Sequence, residues 1–415
     1  MRFSDNVVMY QFAGTPIIGN PSTGYSIGLS AQGEELCRAL LSGSISSEQL
    51  RLDNNDLYDH LVAGKYFQQT EVVNSLESAY LHVTQRCNLN CVGCYSLDNA
   101  RNTTQDASLE QLKCAVSELS IAGINSLIIS GGEPFLYNHL TELLEFAKIE
   151  CKIPDICLAT NGLFITKDNA LVIKPFVDKI SVSIDGCNND SKPYIRRDQN
   201  FDTLMERIMI LKELSIPVQI TPTIHAKNKD EMEEYVALAL SLDVALNYSL
   251  FSCAPEDDSI KELIPDNRDL EILGMKIFYQ SGNCTPTISN GSLGMSMITK
   301  SSCGAAKKTL SIAADGSVYP CHMLQCPDLL MGNVFCESIT NILERQESTK
   351  LRARFTDLNE NCLACEFRWL CAGGCKARSY LTFNSFIEMD PYCPIYSTFY
   401  TCFSNQLKQS FGKEV

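Results

Sequence analysis

The stretch that decides the fold runs Ala79-Tyr80-Leu81-His82-Val83-Thr84-Gln85-Arg86-Cys87-Asn88-Leu89-Asn90-Cys91-Val92-Gly93-Cys94-Tyr95. Its first half alternates apolar and polar residues with β-branched and aromatic types, the pattern of a strand. The second half is a polar loop with three cysteines spaced C-x3-C-x2-C. At 20 cysteines in 415 residues, chance gives roughly 0.05 such triplets. Three thiolates at this spacing suit three irons of a [4Fe–4S] cube, with the fourth iron left for another ligand. Cysteines buried as small hydrophobes are the bland alternative; Asn88, Asn90 and Gly93 make the loop too polar for it.

Downstream of this loop, strand and helix patterns alternate. Strands are expected at 79–84, 126–130, 156–160, 179–184, 217–224 and 245–250, and helices at 108–119, 138–148, 201–214 and 229–240. Ser108 and Gln111 form a capping box. Regular alternation implies a parallel sheet with right-handed crossovers. Six units suit a partial (β/α)6 TIM-like barrel, and a doubly wound sheet would read the same way. Either fold gathers its chemistry at the C-terminal strand ends. Motifs do stand there. Gly131-Gly132-Glu133-Pro134 follows the second strand, Thr160-Asn161-Gly162 the third and Ser183-Ile184-Asp185-Gly186 the fourth. Paired glycines let a backbone approach a ligand closely.

The chain divides into three regions: 1–75, 76–282 and 283–415. In the first, strands are expected at 7–12, 25–29 and 65–68, with turn residues at 19–22. Ser30 caps a helix over 31–42 that stops at Gly43. Ser46 and Gln49 open a second helix, and Leu57 and Leu61 mark a third. The order looks winged-helix-like. The third region is loop-rich, with helix expected only over 338–351. It carries Cys303-x12-Gly316-x4-Cys321, then Cys362-x2-Cys365-x5-Cys371-x3-Cys375, and finally Cys393. Chance gives about 0.002 copies of the four-cysteine run. Metal ligation would supply the constraint that so little regular structure lacks. Zinc is the competing reading of Cys362 and Cys365 taken alone. The remaining cysteines, Cys37, Cys114, Cys151, Cys157, Cys187, Cys253, Cys336 and Cys402, stand singly and read mostly as core.

Composition narrows the class. Lys and Arg number 34 against 49 Asp and Glu, a net charge of -15, which disfavours nucleic-acid and anionic-membrane partners. No apolar run is long enough to span a membrane, and residues 1–10 lack a signal-peptide core. A cytoplasmic location is expected, where clustered cysteines point to metal rather than to disulfides. Only 5 histidines make a His-rich site unlikely on composition alone.

With these motifs in this order, residues 76 to about 250 resemble the radical SAM superfamily. The resemblance implies that Cys87, Cys91 and Cys94 hold a cluster that binds S-adenosylmethionine, with Tyr95 at the usual aromatic position. It implies that Gly131, Gly132, Glu133 and Pro134 take the methionine amino group. Thr160, Asn161, Ser183 and Asp185 would be further cofactor contacts, and Arg196 or Arg197 the carboxylate ligand. The third region is similar to the seven-cysteine SPASM extension, which implies two auxiliary [4Fe–4S] clusters. Cys303, Cys321 and Cys375 would serve one, and Cys362, Cys365, Cys371 and Cys393 the other. Cys284, Cys326 or an open iron would complete the first. Residues 1–75 resemble the leader-recognition element of enzymes that modify ribosomally made peptides; a plain structural cap is the other reading. The combination looks like a maturase that uses a 5′-deoxyadenosyl radical to form a thioether or carbon–carbon cross-link in a precursor peptide, with flavodoxin or ferredoxin as reductant. A sulfatase-maturing, formylglycine-generating enzyme and a peptide epimerase are the alternatives. The former usually has Asp after the residue equivalent to Cys321. Here it is His322, a candidate base because imidazole titrates near neutrality. A non-catalytic iron–sulfur scaffold would not need the strand-end motifs.

Overall fold

The computed structural model describes residues 2–67, 76–96, 101–282, 288–289 and 295–411. The N-terminal unit is a three-stranded antiparallel sheet followed by three helices. Strands β1 (Val8–Phe12), β2 (Thr15–Asn20) and β3 (Tyr25–Gly28) pair in that order. The sequence reading missed β2, because Gly19 and Asn20 end a strand instead of opening the turn. Helix α1 (Ala31–Leu41) is capped by Ser30, α2 (Ser47–Asp53) by Ser46 and α3 (Asn55–Ala63) by Asn54, each side chain accepting a backbone N–H. Residues 64–67 form a turn, not the expected strand. Cys37, Leu50, Leu61 and Ile18 fill a separate small core.

The middle region follows the expected alternation. In chain order it has β4 (Ser78–His82), α4 (Leu109–Ile121), β5 (Ser126–Ser130), α5 (Leu140–Glu145), β6 (Asp155–Thr160), α6 (Lys167–Ile173) and β7 (Lys179–Ile184). Then come α7 (Phe201–Glu213), β8 (Val218–Ile224), α8 (Met232–Leu242), β9 (Ala245–Asn247), β10 (Ser249–Leu250), α9 (Asp258–Lys261), α10 (Asn267–Gly282) and β11 (Ile288–Ser289). Strands β4 to β9 pair in parallel in sequence order. Alternate residues of the strands bury against the helices, Leu127 and Ile129 of β5 among them. Burying such a row stabilises by about 2 kcal/mol per large side chain.

The extension joins the same sheet. Its β12 (Thr309–Ile312) pairs in parallel with β4 and continues antiparallel into β13 (Ser317–Tyr319) and β14 (Gly332–Asn333). It is more helical than expected. Besides α11 (Ile339–Glu344) and α12 (Gln346–Lys350), it has α13 (Glu360–Ala364), α14 (Arg368–Cys371), α15 (Lys376–Phe383) and the 19-residue α16 (Cys393–Phe411). Tyr396, Phe399 and Tyr400 of α16 and Leu270, Leu273 and Ile277 of α10 belong to the main core, so the extension is packed onto the barrel. The N-terminal unit seats on it through Phe12, whose ring meets Phe367 and Phe403. Among the described residues no helix is long and apolar enough to cross a membrane.

Candidate functional site

The three expected strand-end motifs meet. A cavity of about 500 Å3 opens at the C-terminal strand ends, lined by Cys91, Cys94, Tyr95, Ser183, Arg196 and His322, with Cys375 reaching in from the extension. Cys87 lies on the same loop, close enough to interact electrostatically with Cys91 and Cys94. Burial pushes the Cys91 thiol up to about 11, and Arg196 works against that shift. Such thiols ionise when a bound metal displaces their proton to solvent.

The loop after β5 is held against the cysteine loop by backbone hydrogen bonds, joined by Ser96 Oγ, which donates to Gly131 O at 3.2 Å. Gly132 N donates to Thr84 O and Glu133 N to Arg86 O, both at 2.8 Å. A Cβ on Gly132 would sit 2.1 Å from the Arg86 carbonyl oxygen, and one on Gly131, at φ +138°, 2.5 Å from that of Thr84. Only glycine fits either place. Pro134 begins a short 3-10 turn.

Glu133 is fully buried. Its carboxyl accepts from Thr160 Oγ1 at 2.7 Å, Asn161 N at 2.9 Å and Phe135 N at 3.3 Å. Both oxygens are thus engaged inside the protein, and burial raises the group to about 7. Glu133 thus ties the β5 loop to the β6 loop. Asn161 Nδ2 in turn donates to Asn88 Oδ1 of the cysteine loop at 2.8 Å.

Arg196 is paired with Asp185 at 2.5 Å and faces the cavity; Arg197 is exposed. Asp185 also accepts from Ile195 N and Arg196 N, so its role is to hold Arg196. Sequence reasoning missed Gln199. This buried amide donates to Ser183 O and Asn161 O and accepts from Asp185 N, joining two strand ends. It also missed Arg101, whose guanidinium lies 3.3 Å from Cys94 Sγ and 3.2 Å from Leu89 O. Neither has a motif around it; a cation seven residues past the last cysteine was the one available signal.

His322 stacks on Tyr80, ring centroids 4.2 Å apart, with Tyr95 edge-on at 5.3 Å. Burial lowers it to about 4, so it does not titrate near neutrality as expected. It is neutral at pH 7, and protonating it there costs about 4 kcal/mol.

The extension cysteines form two sets. Cys362, Cys365, Cys371 and Cys393 line one cavity. Burial, followed by its neighbours, raises Cys371 to about 12 and Cys393 to about 11. Cys303, Cys321 and Cys375 act on one another: after burial, Cys375 and Cys303 push the Cys321 thiol up further. A buried ion pair supports this set, with Arg378 bonded to Asp390 at 2.6 and 2.9 Å and Asp390 accepting from Cys375 N at 2.6 Å. Cys326 packs near Cys321 and Cys375, but the charge acting on its thiol is Asp328. Cys284 lies outside the described residues. Of the single cysteines, Cys37, Cys157 and Cys187 are buried, while Cys114 and Cys336 are exposed. Cys253 lies against the cysteine loop, 3.3 Å from where a Gly93 Cβ would be.

Comparison with known proteins agrees with this geometry. Residues 81–239 match the model of the radical SAM superfamily, and 303–366 that of an iron–sulfur cluster-binding domain, SPASM. The AdoMet-dependent heme synthase of Methanosarcina barkeri is 27% identical over 75% of this chain and 94% of its own. Mycofactocin maturase MftC of Mycolicibacterium smegmatis is 25% identical over 75% and 81%. In fold, anSMEcpe with bound AdoMet superposes with a TM-score of 0.66 at 18% identity, covering 82% of this chain and 96% of that one. Streptococcus suis SuiB bound to precursor peptide SuiA gives 0.63 at 16%, covering 94% and 98%. The cysteine sets, the strand-end loops and both family matches agree: the chain is a radical SAM enzyme with a SPASM extension, built for [4Fe–4S] clusters and S-adenosylmethionine.

Proposed function

We propose that this chain is a maturase that installs an oxidative cross-link, thioether or carbon–carbon, in a ribosomally made precursor peptide. The observation that carries this reading is the outer edge of the N-terminal sheet, where among the described residues no strand pairs with β3, although Thr299 touches Ser26 within it and Gly24 just before it. Strand β3 is terminal in the order β1-β2-β3, and its residues are largely exposed. An extended peptide adds to such an edge through main-chain hydrogen bonds. The SuiB fold supports the reading. The 6% of this chain it leaves uncovered is about 25 residues, so it has a counterpart to most of the N-terminal unit, and it was solved with a precursor peptide. Residues 1–75 are then a winged-helix-like recognition element, 76–282 the radical core and 283–415 the cluster-bearing extension.

The site residues divide the work. Cys87, Cys91 and Cys94 would hold the first cluster, while the backbone of 131–134, Ser183 and Arg196 would orient S-adenosylmethionine. With a cluster and S-adenosylmethionine held there, and flavodoxin or ferredoxin as electron donor, the site would supply the radical chemistry that removes hydrogen from an unactivated C–H bond. Cys303, Cys321 and Cys375 would hold one auxiliary cluster and Cys362, Cys365, Cys371 and Cys393 the other. The presence of Cys375 in the lining of the main cavity supports an auxiliary centre close to the substrate. His322, neutral and facing the cavity, can accept a proton from the attacking group, at the energetic disadvantage given above.

The test is the mass of a precursor encoded beside the gene after reaction with the reconstituted enzyme. The expected product is lighter by two hydrogens per link, with deuterium from the attacked carbon found in 5′-deoxyadenosine. An unchanged mass means epimerisation, an added methyl means methyl transfer, and an aldehyde at Cys or Ser means formylglycine formation. Each would overturn the cross-link reading.

A further inference from the structure

Lys376 is 4% exposed, and its Nζ is buried with no hydrogen-bond partner among the described residues. A charged ammonium is almost never buried without a partner, because desolvation costs several kcal/mol. The surroundings indicate what the partner is. Lys376 opens α15 directly after Cys375. It lines a small apolar pocket with Cys303, Pro320, Leu324 and Phe355. Nζ lies 5.7 Å from the Phe355 ring centroid and 3.2 Å from where a Gly373 Cβ would be, between Cys371 and Cys375 in sequence. Burial raises the Cys303 and Cys362 thiols, and the Lys376 charge opposes the shift at both. The Lys376 backbone N–H faces the Cys303 thiol and also opposes that shift. Among the described residues no carboxylate pairs with this ammonium: Asp390, the buried acid nearby in the fold, is taken by Arg378 and the Cys375 N–H.

We propose that Lys376 is the internal counter-ion of the auxiliary centre at Cys303, Cys321 and Cys375, a fixed positive charge that raises the centre's reduction potential. The inference rests on reading these cysteines as cluster ligands. Thiolates and sulfides give the centre net negative charge. Adding one electron makes it more negative by one unit, and no bond forms or breaks. A cation held in an apolar pocket stabilises the reduced form more than the oxidised one, because little water screens it. Lys376 is a positioning residue in this sense and touches no substrate.

The experiment is a redox titration of the holoenzyme followed by electron paramagnetic resonance, in a Cys87/Cys91/Cys94→Ala background that leaves the auxiliary signals. The signal that disappears with Cys321→Ala identifies the centre. Lys376→Met should lower its midpoint so that the reduced-to-oxidised ratio at fixed potential falls at least tenfold, about 59 mV for one electron. Lys376→Arg, which keeps the charge, should hold the wild-type midpoint. An unchanged midpoint in the Met variant with full iron overturns the proposal. If the Met variant loads no iron, the Arg variant decides: full iron and a wild-type midpoint support the counter-ion, and failure of Arg as well shows that shape rather than charge is required. Absence of the auxiliary signals from the parent protein would instead refute the cluster assignment on which this rests.

Discussion

Replacing Gly132 by Ala tests how the cofactor loop is held. The added methyl would lie 2.1 Å from Arg86 O, 2.6 Å from Arg86 C and 2.7 Å from Gln85 O. These are backbone atoms of the segment that leads into Cys87, so no rotamer change relieves the clash. Forcing a methyl into a closed site costs about 1–3 kcal/mol. Separation of the strands would also weaken the two 2.8 Å bonds, Gly132 N to Thr84 O and Glu133 N to Arg86 O, at about 1 kcal/mol each. The sum is about 3–5 kcal/mol. Spread over a barrel of this size, it lowers the melting midpoint by roughly 10 °C. If the loop instead moves away, affinity for S-adenosylmethionine falls more than about tenfold, since 1.4 kcal/mol is one decade. Anaerobic thermal melts and equilibrium dialysis with labelled cofactor separate the two responses. Gly123→Ala is the control: φ is +82° but a Cβ there meets nothing within 4 Å, so it pays only the left-handed backbone cost of about 1–2 kcal/mol. A Gly132→Ala protein that melts and binds like the Gly123→Ala protein would refute the close-approach argument.

Arg196→Lys should weaken cofactor binding by about tenfold, because an ammonium cannot keep the Nη1 contact on Asp185 and also present a second planar donor to the cavity, whereas exposed Arg197→Ala should leave it unchanged; dialysis reads both. Leu29 N donates to Pro16 O across the ladder, so in an antiparallel pair the Gly28 N–H points outward. Gly28→Pro should therefore impair precursor processing several-fold while sparing uncoupled cleavage of S-adenosylmethionine, and equal processing by wild type and variant would count against strand addition. Burial lowers His82 to about 3 and His225 to about 4, and His225 Nδ1 accepts the Lys227 N–H. Both lie below the unfolded value near 6.5, so the unfolded chain binds protons first as pH falls. The stability that these two imidazoles contribute should be complete above about pH 6.5 and be lost between there and about pH 3, opposed by the raised Glu133 carboxyl, which the folded state protonates first; in denaturant melts His225→Gln should remove its share of the decline.

The barrel was legible because each strand carries its own punctuation. Ser126–Ser130 and Lys179–Ile184 match the expected bounds, each an apolar alternation closed by a turn motif. Strand β2 was not, because Gly19 and Asn20 are turn residues by type and strand residues only through pairing with Ser26 and Tyr25 of β3. Helix α16 was hidden for a related reason. Its sequence is rich in Tyr, Phe, Thr and Cys, which have weak helix propensity, and its packing against α10 overrides that weakness. In the site, cysteine spacing marked where thiols concentrate along the chain, since spacing is a one-dimensional property, while their grouping into sets came from the resemblance. Gln199, Asp106 and Lys376 act through folded neighbours distant in sequence. Asp106, for example, binds both Thr84 and Arg86 behind the cysteine loop. Likewise, the depressed titration of His322 comes from burial against Tyr80 and Tyr95, which no local pattern records.

The most direct test of the account is 5′-deoxyadenosine release from S-adenosylmethionine by the anaerobically reconstituted, dithionite-reduced protein, with iron measured on the same sample. The wild type should carry about twelve irons per chain, four per cluster, and release 5′-deoxyadenosine. The Cys87/Cys91/Cys94→Ala protein should keep about two-thirds of the iron and release none. A triple variant that still cleaves the cofactor, or a fully loaded wild type that does not, would contradict the account.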